Sequence, residues 1–408
     1  MKRIAVTGLG VVSPLGNSVQ AFFDSLVAGT SGVRHLDERW PARLATRVAA
    51  TVDFDPAAYF PAAKLRMLDR VSQFALVAAA QAIAQSGALA NVDPRRAGVF
   101  VGTGMGGSET TDEAYRTLYA EASGRVKPFS VLMAMNNAAA SWIGLDHRLQ
   151  GPNLTYSTAC SSSAVAIGEA ARRIARGEAD VMVAGGTEAP LTLGTLKAWE
   201  ALKTLAAEDG RDPAASCKPF SKDRSGLVLG EGAGMVVLED RDRALARGAA
   251  IFAELAGYGL TTDASHITRP SVEGQARAMR AALEDASMQP EEIGYINAHG
   301  TATLANDAVE TAAIKEVFGP LAWRVPVSST KSMHAHLLGA AGAIEFVAAV
   351  MAMRQRVVPP TMNLKIPDPE CDLDYVALKS RPAEGLGAVM SNSFAFGGTN
   401  AVLVARAP

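Results

Sequence analysis

The sequence has few cysteines and almost no net charge. Its three cysteines, Cys160, Cys217 and Cys371, lie far apart, and an odd, scattered set does not indicate the disulfide framework of a small secreted protein. Lys and Arg number 39 against 41 Asp and Glu, which gives a net charge of −2. This balance argues against a broad basic surface for nucleic acid, but it leaves room for a small local basic patch.

Long hydrophobic runs and a targeting signal are also missing. The longest apolar stretches, such as 346–353, are much shorter than the roughly 20 residues that span a bilayer. The opening segment MKRIAVTGLG contains too short an apolar run for a secretory signal. A hydrophobic fraction of 49% and a charged fraction of 20% are those of a globular protein. The sequence therefore predicts a cytoplasmic protein that binds neither nucleic acid nor a membrane.

The chain contains a repeated order of elements. A helix, an apolar strand, a second short strand, a turn and a long helix rich in Ala and Gly follow one another between residues 75 and 175, and again between 276 and 350. Alternating helices and strands predict an α/β fold with mostly buried strands. We predict two similar halves, residues 1–250 and residues 251–408, each with its own sheet.

Cys160 is the candidate nucleophile. In the segment YSTACSSSA it follows an apolar strand and opens a helix, where free backbone N–H groups and the positive end of the helix dipole favour a thiolate. The same N–H groups can hold an oxyanion when a thioester is attacked. Cys217 and Cys371 lie in loop-like segments with no helix following closely, so we interpret both as structural thiols.

The six histidines include two at informative positions. His299 ends an apolar strand in NAHGTAT, and His336 lies close to the second Ala- and Gly-rich helix. Turns after strands are where α/β proteins assemble active sites. Either histidine alone would be interpreted as a buried, hydrogen-bonded core residue. Because both occur in the same kind of strand, turn and helix segment as Cys160, we favour a catalytic role. His334 and His336 form an H-x-H pair without a further ligand at a familiar spacing, so no metal site is predicted.

Two further features concern glycine-rich turns and charge. GTGMGG follows a strand but lacks the third-glycine spacing and the helix of a dinucleotide site, whereas SNSFAFGGTN is a turn whose backbone could approach a ligand closely.

Lys331 and Glu345 lie about four helical turns apart. A glutamate inside a buried helix needs a partner.

The motifs together resemble those of a known family. VTGLGVVSPLGN, STACSSS, AGGTEA, NAHGTAT, KSMHAHLLGAAGAIE and NSFAFGGTN occur in this order, and the chain resembles over essentially its whole length the β-ketoacyl-ACP synthases of the thiolase superfamily. The elongating type II enzymes, of the ketoacyl-ACP synthase II kind, are the most similar. The resemblance implies a thiolase-like duplicated five-layered α/β/α/β/α fold and a homodimer.

The resemblance also implies a reaction. Cys160 would accept an acyl chain from acyl carrier protein (ACP) as a thioester, and His299 and His336 would assist decarboxylation of a malonyl thioester. The backbone N–H groups of Cys160 and Phe396 would form the oxyanion hole. Substrates would arrive on the phosphopantetheine arm of ACP, with no metal and no separate cofactor. The function implied is decarboxylative Claisen condensation in fatty acid elongation.

Other residues receive supporting roles from the same resemblance. Lys331 would shape the electrostatics around both histidines, Glu345 would organise that network, and Phe396 would gate the site. The remaining matches are to positions that hold the pantetheine arm or line the acyl pocket, namely Thr268, Thr301, Thr303 and Met105. The chain departs from the family pattern at His334 and Ala335, which replace a Thr-Gly pair, and at Ala395, which replaces a glycine.

Alternatives remain at this stage. The motifs do not separate fatty-acid synthases from ketosynthases of type II polyketide, aryl-polyene or related pathways. A non-catalytic partner subunit would lack the nucleophile, so Cys160 argues against it, and a thiolase would need a second catalytic cysteine. Lys64, Arg66 and Arg70 form a basic cluster on a predicted helix, which could dock the acidic ACP or simply be a solvated face.

Overall fold

The computed structural model describes residues 2–36, 44–121 and 123–408. Its strands are β1 Ile4–Val12, β2 Val33–His35, β3 Val48–Ala50, β4 Ala97–Gly102, β5 Asn153–Tyr156, β6 Val181–Glu188, β7 Gly232–Asp240, β8 Ala253–Thr262, β9 Tyr295–Asn297, β10 Val327–Ser328, β11 Val357–Val358, β12 Arg381–Pro382, β13 Ala388–Phe394 and β14 Thr399–Arg406. Its helices are α1 Val19–Ala28, α2 Ala62–Leu65, α3 Arg70–Ser86, α4 Ser108–Tyr115, α5 Ser130–Ala134, α6 Ala138–His147, α7 Ser162–Ala175, α8 Leu193–Ala201, α9 Arg241–Ala246, α10 Val272–Ala286, α11 Leu304–Phe318, α12 Lys331–His334 and α13 Ala341–Gln355.

The main sheet consists of two five-stranded sets with one topology. The first has the order β5-β4-β6-β7-β1 and the second β10-β9-β13-β14-β8. In each set the first three strands are parallel and the last two pairings are antiparallel. The sets join where three residues of β1, Ile4 to Val6, pair with β8. The repetition of elements in the sequence is therefore a duplication of structure.

Five layers result from this duplication. Helices α7 and α13 form the middle layer and contact strands of both sets, while α3 covers the outer face of the first set and α10 that of the second. The fold is the thiolase-like α/β/α/β/α arrangement that the resemblance implies. Capping follows the sequence: Asp69 accepts the N–H of Val71 at the start of α3, and Ser271 accepts that of Gly274 in α10.

Small residues let the two middle helices touch. Every residue from Ala341 to Met353 in α13 is buried, and a side chain added at Gly342 would come within 2.9 Å of Ala164 in α7. Ser163 Oγ also accepts the backbone N–H of Ala343 at 2.9 Å. Because the N-terminal ends of the helices are fixed together, the segments that precede them, with Cys160 and His336, are neighbours.

The second Ala- and Gly-rich segment is not one continuous helix, so the interpretation of Lys331 and Glu345 as residues four turns apart was wrong. The chain breaks after α12 at Ala335, with φ 61° and ψ −167°, and again at Leu338, with φ 45°. Both values lie in the left-handed region, which interrupts a right-handed helix. The break folds α12 back and brings the Lys331 side chain directly onto Glu345.

One stretch of the described chain, Leu338–Gln355, is long and apolar enough to cross a membrane, with a mean hydropathy of 1.2 over 18 residues. Of this window, 89% is buried inside the protein. An apolar segment packed between the two strand sets is typical of a buried core helix.

Candidate active site

Cys160 lies in a 3-10 turn, Ala159–Ser161, between β5 and α7, as the sequence predicts. The turn starts with Ala159 at φ 51°, a left-handed conformation that costs an L-residue energy and is characteristic of functional turns. It directs the Cys160 side chain inward, where the residue is 6% exposed. The nucleophile is thus positioned by a sharp turn at the start of a central helix.

The structure brings the three predicted catalytic side chains together. His336 Nε2 lies 3.0 Å from Cys160 Sγ. The rings of His299 and His336 meet edge to face with centroids 5.5 Å apart, and ligand atoms of all three residues lie within 4.8 Å of one another. The nucleophile comes from the first half of the chain and both histidines from the second, so the site exists only where the halves meet.

The Cys160 thiol is neutral, contrary to the expectation of a thiolate at a helix terminus. Burial raises the pKa of Cys160 to about 12, although the Lys331 charge and the nearby Phe396 backbone N–H act in the opposite direction. Loss of hydration outweighs the favourable fields because the sulfur is enclosed. The thiol must therefore release its proton as it attacks, and His336 Nε2 is the neighbouring base.

Both histidines are neutral as well. Burial, followed by the positive charge of Lys331, lowers the pKa of His299 and that of His336 well below the usual range. Lys331 Nζ lies 3.5 Å from His299 Nδ1. An ammonium can only donate, so Nδ1 accepts and the His299 proton is on Nε2. That N–H is available to a carbonyl oxygen on which negative charge develops.

Lys331 forms an ion pair with Glu345, and both side chains are fully buried. Burial raises the pKa of Glu345 to about 7, against the attraction of Lys331. The pair supplies the partner that the sequence required for a glutamate in this helix, and it fixes the ammonium beside His299.

The pH dependence of catalysis follows from these shifts. Because the pKa values of His299 and His336 lie below the ordinary value, we expect the acid limb of the kcat/KM profile below pH 6.5. The double substitution Lys331→Met with Glu345→Leu removes the ammonium that lowers both pKa values, so the acid limb should move to higher pH. Profiles of each enzyme between pH 5 and 8, normalised to their own maxima, measure this. An acid limb that stays in place or moves down would contradict it.

A cavity of about 270 Å³ opens onto Cys160. Thr268, Thr301 and Thr303, the predicted pantetheine contacts, all line it, with Trp199, Leu202, Ile267, Arg269 and Phe396 among the other lining residues. Met105, predicted to line an acyl pocket, lies outside this cavity in the described chain. Its side chain is 41% exposed and its N–H bonds to Glu188.

The turn at residues 395–398 closes one side of the cavity. Gly397 and Gly398 have φ values of 85° and 78°, which only glycine adopts without strain. Ala395 stands where the family has a glycine, but its methyl leaves the turn intact, since the Ala395 N–H donates to Thr399 O at 3.0 Å. The backbone N–H of Phe396 is close enough to Cys160 to act against the burial that raises the thiol pKa, and its role as an oxyanion-hole donor stays a prediction.

His334 and Ala335, the other departures from the family pattern, lie behind the cavity. His334 is buried, with Nδ1 2.7 Å from Ala335 O and Nε2 3.0 Å from Thr330 Oγ1. Burial and the Lys331 charge lower the pKa of His334 to about 3. This ring is a satisfied, neutral core histidine, and Ala335 adopts the left-handed φ that a glycine would adopt more easily.

Two buried glutamates support the site and were not singled out from the sequence. Glu310 accepts the N–H groups of His299 and Gly300, each at 2.8 Å. Glu188 accepts those of Gly104, Met105 and Gly339 and so ties two loops beside Cys160 together. Glu188 belongs to the motif AGGTEA, and Glu310 lies seven residues after NAHGTAT. An acidic residue next to a glycine-rich turn was the signal that could have indicated them.

Cys160, His299 and His336 are residue types that also bind zinc. The Lys331 ammonium 3.5 Å from His299 Nδ1 opposes a second cation there, since like charges repel at short range. The H-x-H pair does not converge, because both His334 nitrogens contact Ala335 and Thr330. The sequence-based expectation of catalysis without a metal stays a prediction.

The fold and this Cys-His-His cluster define a thiolase-fold condensing enzyme. Family models for the β-ketoacyl synthase N-terminal domain and C-terminal domain match residues 1–244 and 252–365. The chain belongs to the β-ketoacyl synthase family, and it is an acyl-transferring condensing enzyme.

Individual relatives match along the whole chain. It is 45% identical to nodulation protein E of Rhizobium meliloti (strain 1021), with 98% of each chain covered. It is 44% identical to 3-oxoacyl-[acyl-carrier-protein] synthase 2 of Coxiella burnetii, covering 99% of this chain and 98% of the relative. A solved complex of a type II PKS acyl-carrier protein with its ketosynthase bound to the hexaketide superposes with a TM-score of 0.92 at 33% identity, with 100% of both chains covered.

Proposed function

We propose that the protein is a β-ketoacyl-ACP synthase that elongates fatty acyl chains by decarboxylative Claisen condensation with malonyl-ACP. The observation that carries this proposal is the Cys160 Sγ to His336 Nε2 contact of 3.0 Å, with His299 edge to face beside it. A buried thiol next to two neutral imidazoles suits transfer of an acyl group between thioesters followed by stabilisation of an enolate.

The first half-reaction loads the enzyme. Cys160 Sγ attacks the acyl thioester carbonyl while its proton passes to His336 Nε2, and the Phe396 N–H donates to the developing oxyanion. The carbon–sulfur bond to ACP then breaks and the ACP thiolate takes up the proton. This transfer leaves acyl-Cys160 and a neutral His336.

The second half-reaction uses both histidines. The bond between the α-carbon and the carboxylate of malonyl-ACP breaks, CO₂ leaves, and the electron pair forms an enolate. The enolate oxygen accepts from the His299 Nε2–H group, and from His336 once its ring proton has moved from Nδ1 to Nε2 by exchange with water. The α-carbon attacks the acyl-Cys160 carbonyl, and the Cys160 thiolate leaves and takes up a proton from water. The product is a β-ketoacyl-ACP two carbons longer.

The partners and location follow the same proposal. Substrates arrive as acyl and malonyl thioesters on ACP, and a similar ketosynthase is seen bound to its acyl-carrier protein. No nucleic acid, membrane or separate cofactor takes part, and the protein acts in the cytoplasm. The Thr268, Thr301 and Thr303 hydroxyls line the route to Cys160, where a pantetheine arm offers amide partners.

We also propose a homodimer built on the sheet edge. Strand β5 ends the sheet in the described chain, and Leu154 within it is 43% exposed, so a second β5 could pair there. Exposed apolar residues on and around α4 and α5 would be covered in the same contact, namely Tyr115, Tyr119, Phe129, Val131, Leu132 and Met135. This contact would complete the acyl pocket beside Met105.

A second candidate is condensation in a specialised type II pathway. Nodulation protein E and a 3-oxoacyl-ACP synthase 2 are almost equally similar to this chain, and a polyketide ketosynthase has the same fold. Either function would use the same catalytic residues of this chain, so the two functions differ only in the acyl group that the enzyme accepts.

The acyl group can be measured directly. Purified protein is incubated with malonyl-ACP and a panel of short, long, branched and unsaturated acyl-ACPs, and the products are identified by intact-mass spectrometry. Release of CO₂ with a two-carbon extension of saturated chains supports fatty-acid elongation. Extension confined to polyene or polyketide chains selects the second candidate, and no extension of any acyl group rejects both.

The docking cluster expected on one helix is divided in the structure. Lys64 lies in α2 and pairs with Asp146, whereas Arg70 opens α3 and binds the buried Glu231 through two nitrogens, at 2.9 and 2.7 Å. Arg70 therefore has a structural role, and its charge reversal would leave Glu231 unpaired. Of the three residues, Arg66 is the one left to meet a carrier protein.

We expect Arg66→Glu to raise the apparent KM for acyl-ACP about three- to tenfold with little change in kcat, because rim charges mainly affect association. The matched control is Arg176→Glu, at the far end of α7, about 21 Å along the helix from the Cys160 end. Steady-state kinetics at low and physiological salt measure both variants. An unchanged KM for Arg66→Glu would remove the docking surface.

A further inference from the structure

Trp199 stacks on the side chain of Phe396. The two rings lie with centroids 5.9 Å apart and planes inclined by 23°, and both residues line the cavity above Cys160. Trp199 belongs to α8, which is remote in sequence from the turn that carries Phe396.

Trp199 and the turn that carries Phe396 are held by different kinds of contact. Trp199 is half-buried and packs on a hydrophobic cluster that includes Leu196 and Leu227, so α8 fixes its ring. The Phe396 turn is held to the adjacent loop by two backbone bonds, from the Gly397 N–H to Ile267 O at 2.7 Å and from the Asp263 N–H to Gly398 O at 2.9 Å. Ile267 is itself 70% exposed.

Phe396 has two functions that depend on where its turn sits. Its backbone N–H is near enough to Cys160 to favour the thiolate, and its ring lines the same cavity as Cys160. Glycines on the C-terminal side of the turn, Gly397 and Gly398, permit large changes of backbone angle. A contact that fixes the ring therefore also fixes the donor that faces the reacting carbonyl.

We propose that Trp199 is a positioning residue that seats Phe396, and through it holds the Phe396 N–H at Cys160 and shields the acyl thioester from water. The proposal rests on the condensing function proposed above. An aromatic pair of this geometry contributes more stabilisation than the burial of its apolar surface alone. Removal of the Trp199 ring should therefore shift the turn toward conformations in which Phe396 no longer stacks at this position.

The test measures how acyl-Cys160 divides between hydrolysis and condensation. Trp199→Ala should raise the ratio of hydrolysis to condensation roughly three- to tenfold, the population change that an aromatic contact of this size supports, and should lower kcat for condensation with little change in KM. Trp199→Phe, which keeps a ring, should stay near wild type. Trp323→Ala, a tryptophan on the 3-10 turn Gly319–Trp323, is the matched control and should leave the ratio unchanged.

The ratio is informative because it does not depend on the fraction of enzyme that is folded. A double-mutant cycle adds a second criterion: if Trp199 acts through the Phe396 ring, Trp199→Ala should have no further effect in a Phe396→Ala background. A Trp199→Ala ratio equal to that of wild type, or full additivity in the cycle, overturns the proposal. Failure of wild type to condense would instead reject the proposed function, and hydrolysis rates of acyl-Cys160 would still test Trp199.

Discussion

Replacement of Cys160 by alanine is expected to abolish acyl-enzyme formation and to reduce condensation by at least about 10⁴-fold, the order of loss seen when a covalent nucleophile is removed. No other described group can take its place: Cys160 is the thiol 3.0 Å from His336 Nε2, while Cys217 Sγ contacts Lys331 O. Intact-mass spectrometry after incubation with acyl-ACP measures the acyl-enzyme, and product analysis measures condensation.

The chain provides its own matched control for this substitution. Cys371 is also buried, and burial likewise raises its pKa to about 12. It does not line the cavity with His299 and His336, so Cys371→Ala should keep near-normal activity. The comparison shows that geometry, not an unusual pKa, selects the nucleophile. Because His299 and His336 are untouched, decarboxylation of malonyl-ACP should persist in Cys160→Ala. Acylation of the Cys160→Ala protein at another residue would contradict the assignment.

Glu345→Ala is expected to cost about 3–5 kcal/mol in the free energy of unfolding, because it leaves the Lys331 ammonium buried without its partner. Both side chains have 0% exposure, so water cannot replace the lost carboxylate. The double substitution Lys331→Met with Glu345→Leu removes both charges and fills the space with apolar groups. It should recover most of the stability, since a well-packed apolar pair can replace a buried ion pair.

Denaturant unfolding curves of the single and double variants measure this difference. Glu113→Ala is a suitable control: its partner Lys127 and Glu113 have exposures of 65% and 41%, and an exposed pair of this kind contributes less than about 1 kcal/mol. Equal stability of Glu345→Ala and wild type would show that the pair does not carry a buried charge. Activity should return only in part in the double variant, because the ammonium beside His299 is absent.

The sequence was sufficient for the duplicated fold and for the grouping of Cys160, His299 and His336, whose catalytic roles stay a prediction. Cys160 and His299 follow strands β5 and β9, and such positions meet at one edge of parallel strands. His336 instead follows the short helix α12, which comes after the neighbouring strand β10. The resemblance also placed Lys331 beside the histidines. These predictions depend on the order of strands, turns and motifs along the chain, which can be read from the sequence alone.

Other features depended on contacts between distant segments and could not be predicted. The pKa of Cys160 was expected to fall because the helix terminus is visible in the sequence, whereas the burial that raises it is produced by both halves together. The division of Lys64 and Arg70 arises from their acidic partners, Asp146 and Glu231, which are remote along the chain. Likewise the break at Ala335 needed a backbone angle that alanine rarely adopts.

The seam between the two strand sets has a consequence for newly made molecules. The sets are joined by only three residue pairs, and the nucleophile and the histidines lie on opposite sides of that join. A chain in which one half has folded and the other has not therefore holds either a thiol without a base or bases without a thiol. Such a chain cannot carry out the whole condensation, so appearance of condensing activity during refolding reports the completion of the whole molecule.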